Sequence, residues 1–183
     1  MKTEELLGWG AAVLGVSMVV GRMNQDKGDA NINMGDVEER IRREAKRYDY
    51  TMPAYVPLAM AQVESNLKHL PSRGSGNGRT FYPFGIQRNR GADLTGLELG
   101  SEERDDALAD LDYHIMIGVD EIARLWDVYG GDIDRVRVGW VYPASARKGP
   151  PYPKQMGSVL TSTRLSNWRK AVAKWGGPVV PVA

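Results

Sequence analysis

Val56-Pro57-Leu58-Ala59-Met60-Ala61-Gln62-Val63-Glu64-Ser65-Asn66-Leu67 is an apolar run that closes on a carboxylate. Val56, Met60, Val63 and Leu67 recur at steps of four, three and four, which is one face of a helix. Glu64 lies at the edge of that face, four residues after Met60. Apolar neighbours disfavour a carboxylate's charge, and so does the negative end of a helix dipole if the helix stops near Asn66. A Glu that keeps its proton near neutral pH is equipped to protonate a leaving oxygen. The same spacing also describes an ordinary surface Glu at a helix end.

The stretch after Glu64 sharpens the choice. The 28 residues from Ser65 to Ala92 hold no Asp or Glu, but five basic residues: Lys68, Arg73, Arg79, Arg88 and Arg90. They lie among Gly, Ser and aromatic residues, so the stretch reads as a basic loop beside a lone carboxylate. Such a loop would steer an anionic polymer toward a single acid. Net charge over all 183 residues is only +1, and the pI is near 7.9, so a general nucleic-acid binder is not indicated. No cysteine is present, which excludes disulfides, thiol nucleophiles and thiolate metal sites. His69 and His114 are far apart, with no carboxylate at ligand spacing, so neither a metal nor a cofactor is expected. His114, flanked by Tyr113 and Ile115, reads as a helix-packing residue.

The rest of the chain reads as helices separated by turns. Asp36, with Glu39 one turn later, has the pattern of a capping box, and Val37, Ile41, Ala45 and Tyr48 form a buried stripe. Pro53 or Pro57 falls in the first turn of the next helix, where a missing N–H costs little. Ser101 is placed to cap a long helix running through Leu108, Leu111, Ile115, Val119, Ile122, Trp126 and Tyr129. Gly130-Gly131 ends it, and Asp132 caps a helix with Ile133, Val136 and Trp140 on one face. Leu165, Trp168, Val172 and Trp175 mark a last amphipathic helix. No strand alternation or internal repeat stands out, so the fold class is mainly α.

Leu6 to Gly21 carries no charge and is flanked by Glu4, Glu5 and Arg22. A membrane-crossing helix wants about 20 apolar residues, so this segment is short for one. It lacks the basic start and A-x-A site of a signal peptide. Residues 1–21 are therefore read as a short membrane-inserting helix, with Trp9 near an interface. Gly8 and Ala12, and Ala11 and Gly15, stand four apart, a spacing that permits self-association of such helices. A buried helix of a soluble core is the rival reading. Residues 22–35 read as a polar linker, 36–175 as the domain, and 176–183 as a flexible tail.

Four short motifs occur in order inside the domain. Ala59 to Ser65 reads A-M-A-Q-V-E-S, and Phe84-Gly85-Ile86-Gln87 is a Gly-x-Gln turn. Tyr113 to Gly118 approximates an N-I-x-x-G signature, and Gly139-Trp140-Val141-Tyr142-Pro143-Ala144 lies where an A-Y-N-A-G-like segment would. From Val37 to about Ala146 the chain thereby resembles the lytic transglycosylases of the soluble-lytic-transglycosylase fold, kin to goose-type lysozymes. The loop from Leu67 to Tyr82 is longer than the family's, and the last motif lacks its Asn. Its aromatic residue aligns as either Trp140 or Tyr142.

The resemblance implies a lysozyme-like domain that cuts the β-1,4 bond between N-acetylmuramic acid and N-acetylglucosamine in peptidoglycan. By that resemblance Glu64 is the catalytic acid and base, and the products carry 1,6-anhydromuramic ends. Gln87 would bond sugar substituents, Gly85 would let the turn pass close to substrate, and Ser65 would brace the acid. Tyr142 would bring a hydroxyl near Glu64, with Trp140 as a stacking alternative. A muramidase using water needs a second carboxylate, for which Asp93, Glu98 and Asp134 remain open. A glycan-binding structural protein without turnover is the third reading. A wall-cutting domain behind a short apolar helix suits membrane-associated action in the periplasm, by a phage virion component during genome entry or by a bacterial envelope enzyme. The expected partners are peptidoglycan strands, the membrane and other virion proteins.

Overall fold

Among the residues that the computed structural model describes (32–48, 51–75, 79–88, 97–98 and 100–179), seven α-helices carry the fold. They are α1 Met34–Ala45, α2 Tyr55–Ser65, α3 Glu102–Ala109, α4 Leu111–Val128, α5 Ile133–Val141, α6 Pro143–Lys148 and α7 Thr161–Lys174. Two small antiparallel hairpins join them, β1 Thr80–Phe81 with β2 Ile86–Gln87, and β3 Gln155–Met156 with β4 Val159–Leu160. The molecule is thus mainly α, although the hairpins escaped the search for strand alternation because each strand is two residues long. The apolar segment 1–21 and the linker up to residue 31 lie outside the described residues. Among those described, no helix is long and apolar enough to cross a membrane.

Asn33, not Asp36, starts α1. Its side-chain oxygen accepts from the amides of Gly35 at 2.8 Å and Asp36 at 3.1 Å. The Asp36 carboxylate in turn accepts from the Asn33 amide at 3.1 Å, which completes a capping box. Asp36 takes the part expected of Glu39, so the helix begins a turn early and 32–35 belong to the domain. Val37, Ile41 and Ala45 are buried, as the stripe requires.

Helix α2 is not one-faced. Every residue from Val56 to Ala61 is buried, which makes α2 the central helix. Helices α1, α4 and α7 pack around it. The four-three-four stripe caught only part of this, and Val63 on that stripe is only partly buried. Tyr55 meets Trp126 edge-on, with ring centroids 6.5 Å apart. Trp168 is fully buried in α7 and donates its indole N–H to the Ile133 carbonyl at 2.8 Å, tying α7 to α5.

The single long helix expected after Ser101 is two helices. Asp110 sits in extended backbone and accepts from the Tyr113 amide at 2.7 Å, so it ends α3 and caps α4. A short polar side chain that can bond the main chain locally competes with helix continuation. The tail also packs more than expected at its start. A Cβ on Gly177 would come within 2.8 Å of the Tyr55 ring and 2.5 Å of Val172.

His114 in α4 holds the β1–β2 turn. It is fully buried, its Nδ1 lies 3.1 Å from the Leu108 carbonyl, and its Nε2 lies 3.1 Å from the Phe84 amide. The amide must donate to Nε2, so the proton sits on Nδ1 and the ring is neutral. The Phe84 ring stacks on the imidazole, with centroids 5.9 Å apart, and fits over Gly118, where an added Cβ would stand 2.1 Å from it. Burial pushes the pKa of His114 down to about 3 from 6.5.

The unfolded chain therefore binds one more proton than the folded one between those values. This contribution to stability is complete above about pH 6.5 and is lost as pH falls toward 3. Urea titrations across that window should show wild type losing stability faster than His114→Gln, by up to about 1.4 kcal/mol per pH unit. Equal slopes would remove His114 as the cause.

Candidate functional site

Glu64 is the penultimate residue of α2, and the chain reverses directly after Ser65. Asn66 and Leu67 both take φ of 57°, in the left-handed region. A leucine there is strained by about 1–3 kcal/mol. Its side chain is 4% exposed in the core, and its amide bonds the Ala61 carbonyl at 3.2 Å, so the surroundings enforce the turn. Ser65 contributes to the same reversal. Its hydroxyl donates to the Ala61 carbonyl at 3.2 Å and accepts from the Lys68 amide at 3.2 Å. The brace expected from Ser65 acts on the helix end, with no hydrogen bond to the Glu64 carboxylate.

The carboxylate meets a cation. Arg137, on α5, donates from Nη1 to Glu64 Oε1 at 2.5 Å, and the same nitrogen lies 3.1 Å from Met60 Sδ. The Arg137 side chain is 4% exposed and that of Glu64 22%. The apolar surroundings expected at the end of the stripe are thus replaced on one side by an ion pair. The other oxygen, Oε2, faces the main chain of Gly85. A Cβ built there would stand 2.9 Å from it, and Gly85 has φ of 71°. Glycine is required twice over, by the close approach and by the backbone angle.

The remaining predicted residues spread outward from this pair. Trp140 is buried and meets the Phe84 ring edge-on, with centroids 6.3 Å apart, so it backs the residue next to Gly85. Gln87 is exposed on β2, opposite Thr80. Tyr142 caps the end of α5 and sends its hydroxyl toward Gly157 in the β3–β4 turn, where an added Cβ would lie 3.0 Å from it. It makes no hydrogen bond to Glu64. The structure therefore brings Glu64 and Gly85 together, sets Trp140 against the neighbouring Phe84, and directs the Tyr142 hydroxyl to the second hairpin.

The basic loop is partly neutralised. Arg79 Nη1 and Arg88 Nε reach the two oxygens of Asp105 on α3, at 3.1 and 2.9 Å. Asp105 is itself buried. Lys68 and Arg73 are exposed, and Arg90 lies outside the described residues. Of the possible second carboxylates, Asp134 is held by Arg169 at 2.6 Å, Glu98 is exposed, and Asp93 lies outside the described residues. No group of three or more His, Asp or Glu side chains among the described residues is placed to hold a metal ion.

Arg137, Asp105 and the anchoring role of His114 were missed by sequence reasoning. For Arg137 a signal existed. Arg137 stands between Val136 and Val138 in a run otherwise apolar to Val141, which marks a charge carried into a core helix. No family model, curated protein or solved structure matches the chain.

Gly85→Ala should lower stability by about 1–3 kcal/mol, through strain at the positive φ and contact with Glu64. Denaturant titration measures it, and a midpoint equal to wild type would mean the turn stands farther from Glu64.

Proposed function

We propose that the protein cleaves peptidoglycan glycan strands as a lytic transglycosylase, with Glu64 as the single acid and base. The observation that supports this most is the presentation of Glu64 Oε2 toward a glycine turn, at the strained end of a buried helix. A carboxylate held there has one oxygen fixed by Arg137 and one directed at the place where a sugar would lie along Gly85-Ile86-Gln87. Glu64 gives its proton to the glycosidic oxygen as the bond to the anomeric carbon breaks. It then takes the proton from the muramyl 6-hydroxyl as that oxygen attacks the same carbon. The ring closes to a 1,6-anhydro product, no water is consumed, and Glu64 ends protonated as it began.

Exposed Gln87 is suited to bond sugar substituents, and exposed Lys68 and Arg73 to attract the carboxylates of stem peptides. The engagement of Asp134 with Arg169 favours one acid over two. The setting that fits is a membrane-associated, periplasm-acting component, carried by a phage virion for local wall opening. A second reading, glycan binding without turnover, draws on exposed Gln87, Lys68 and Arg73, which can hold a glycan strand and its stem peptides without any proton transfer.

Mass spectrometry of muropeptides released from purified peptidoglycan by the full chain separates the readings. Products with 1,6-anhydro ends are expected, and Glu64→Gln should reduce their release by about 100-fold or more. Reducing ends would mean water attacks. Glycan binding with no release would select the second reading. Deleting residues 1–31, ahead of the Asn33 cap, should leave a folded domain that no longer sediments with lipid vesicles. Sedimentation unchanged by the deletion would remove the N-terminal segment as the anchor.

A further inference from the structure

Arg137 is a poor choice for packing alone. It is 3% exposed, and its Nε is buried with no hydrogen-bond partner among the described residues. A buried guanidinium is unfavourable unless its geometry satisfies it, and an apolar residue of similar volume often serves a helix interface as well or better. The fork of Arg137 is incompletely used. Its Nη1 binds Glu64 Oε1 at 2.5 Å and touches Met60 Sδ at 3.1 Å, and Glu64 is its one charged partner among the described residues. Met60 lies on α2 one turn before Glu64, so the guanidinium is seated against the helix that carries the acid.

We propose that Arg137 is the positioning residue for Glu64, an inference that rests on the acid and base role of that residue. The guanidinium fixes Oε1, which leaves Oε2 alone to face Gly85 and the glycosidic oxygen. It also stabilises the charge that Glu64 bears between its two proton transfers. In the first transfer the proton leaves Oε2 for the glycosidic oxygen and the carboxylate appears beside Arg137. In the second, the muramyl 6-hydroxyl returns a proton to Glu64 as its oxygen bonds to the anomeric carbon. Arg137 exchanges no proton in either step and touches no substrate atom.

The test is steady-state release of anhydro-ended products from soluble, uncrosslinked glycan strands by the full chain. Arg137→Met should lower kcat by roughly ten- to a hundredfold with KM within about twofold, because the loss lies in the proton-transfer steps. Arg137→Ala should show the same loss, partly restored by added methylguanidinium, a recovery that general loosening of the fold would not give. If Met is not tolerated, Arg137→Lys is read by the same split, with a several-fold lower kcat expected at unchanged KM. An unchanged kcat, a loss confined to KM, or no recovery with methylguanidinium would overturn the inference while the parent reading stands. Absence of product from wild type would remove the parent reading, and this inference with it.

Discussion

One hydrogen bond, from the Phe84 amide to Nε2 of His114, decides where the chain crosses in front of Glu64. It works only with a neutral imidazole whose Nδ1 proton is committed to Leu108, so the last turn of α3, the first turn of α4 and the β1–β2 turn are joined through one ring. Gly118, a helical turn beyond His114, leaves the recess that the Phe84 ring fills. Gly85 inherits its position from that packing. The exposed part of the site is thus held from below by a helix that makes no direct contribution to it.

The charges show a similar logic of remote support. The loop after Glu64 has no acidic residue of its own, yet Asp105, from α3, joins Arg79 and Arg88 across its base. The hairpin is clamped by a carboxylate from another part of the chain. Glu64 likewise receives its counter-charge from α5 and not from the nearby basic loop. Each of the three ion pairs has at least one largely buried partner, so its attraction is less screened than at a fully exposed surface. What looks in sequence like a patch of free positive charge is, at Arg79 and Arg88, a structural tie.

Much of the architecture was legible in the sequence because helix signals are local. Asp132, the Gly130-Gly131 stop, the end of α2 near Asn66 and the amphipathic last helix all stand where spacing and capping rules put them. Local rules failed where two candidates competed within one turn. Asn33 displaced Asp36 as a cap, and Asp110 divided an apolar period that runs unbroken through it. At the site, Glu64 and Gly85 were visible as a helix end and a glycine turn, but their direct approach to each other was not, since the resemblance placed Gly85 only near substrate. Arg137 was not legible, since periodicity reports which face is buried and not which buried residue carries a charge toward a neighbour. Nor did spacing show that the Tyr142 hydroxyl turns to the second hairpin.

The pairing of Glu64 with Arg137 also sets a schedule. The two residues are 73 positions apart, a stretch that takes roughly 4–15 s to synthesise at about 5–20 residues per second. Glu64 leaves the ribosome well before its counter-charge, and α7, which covers α2, emerges later still. Glu64 and its helix therefore wait, while α3 to α7 are made, without the groups that enclose them. The pair, and whatever it serves, comes into being only with the finished domain, so a truncated or half-made chain carries the Glu64 carboxylate without its setting.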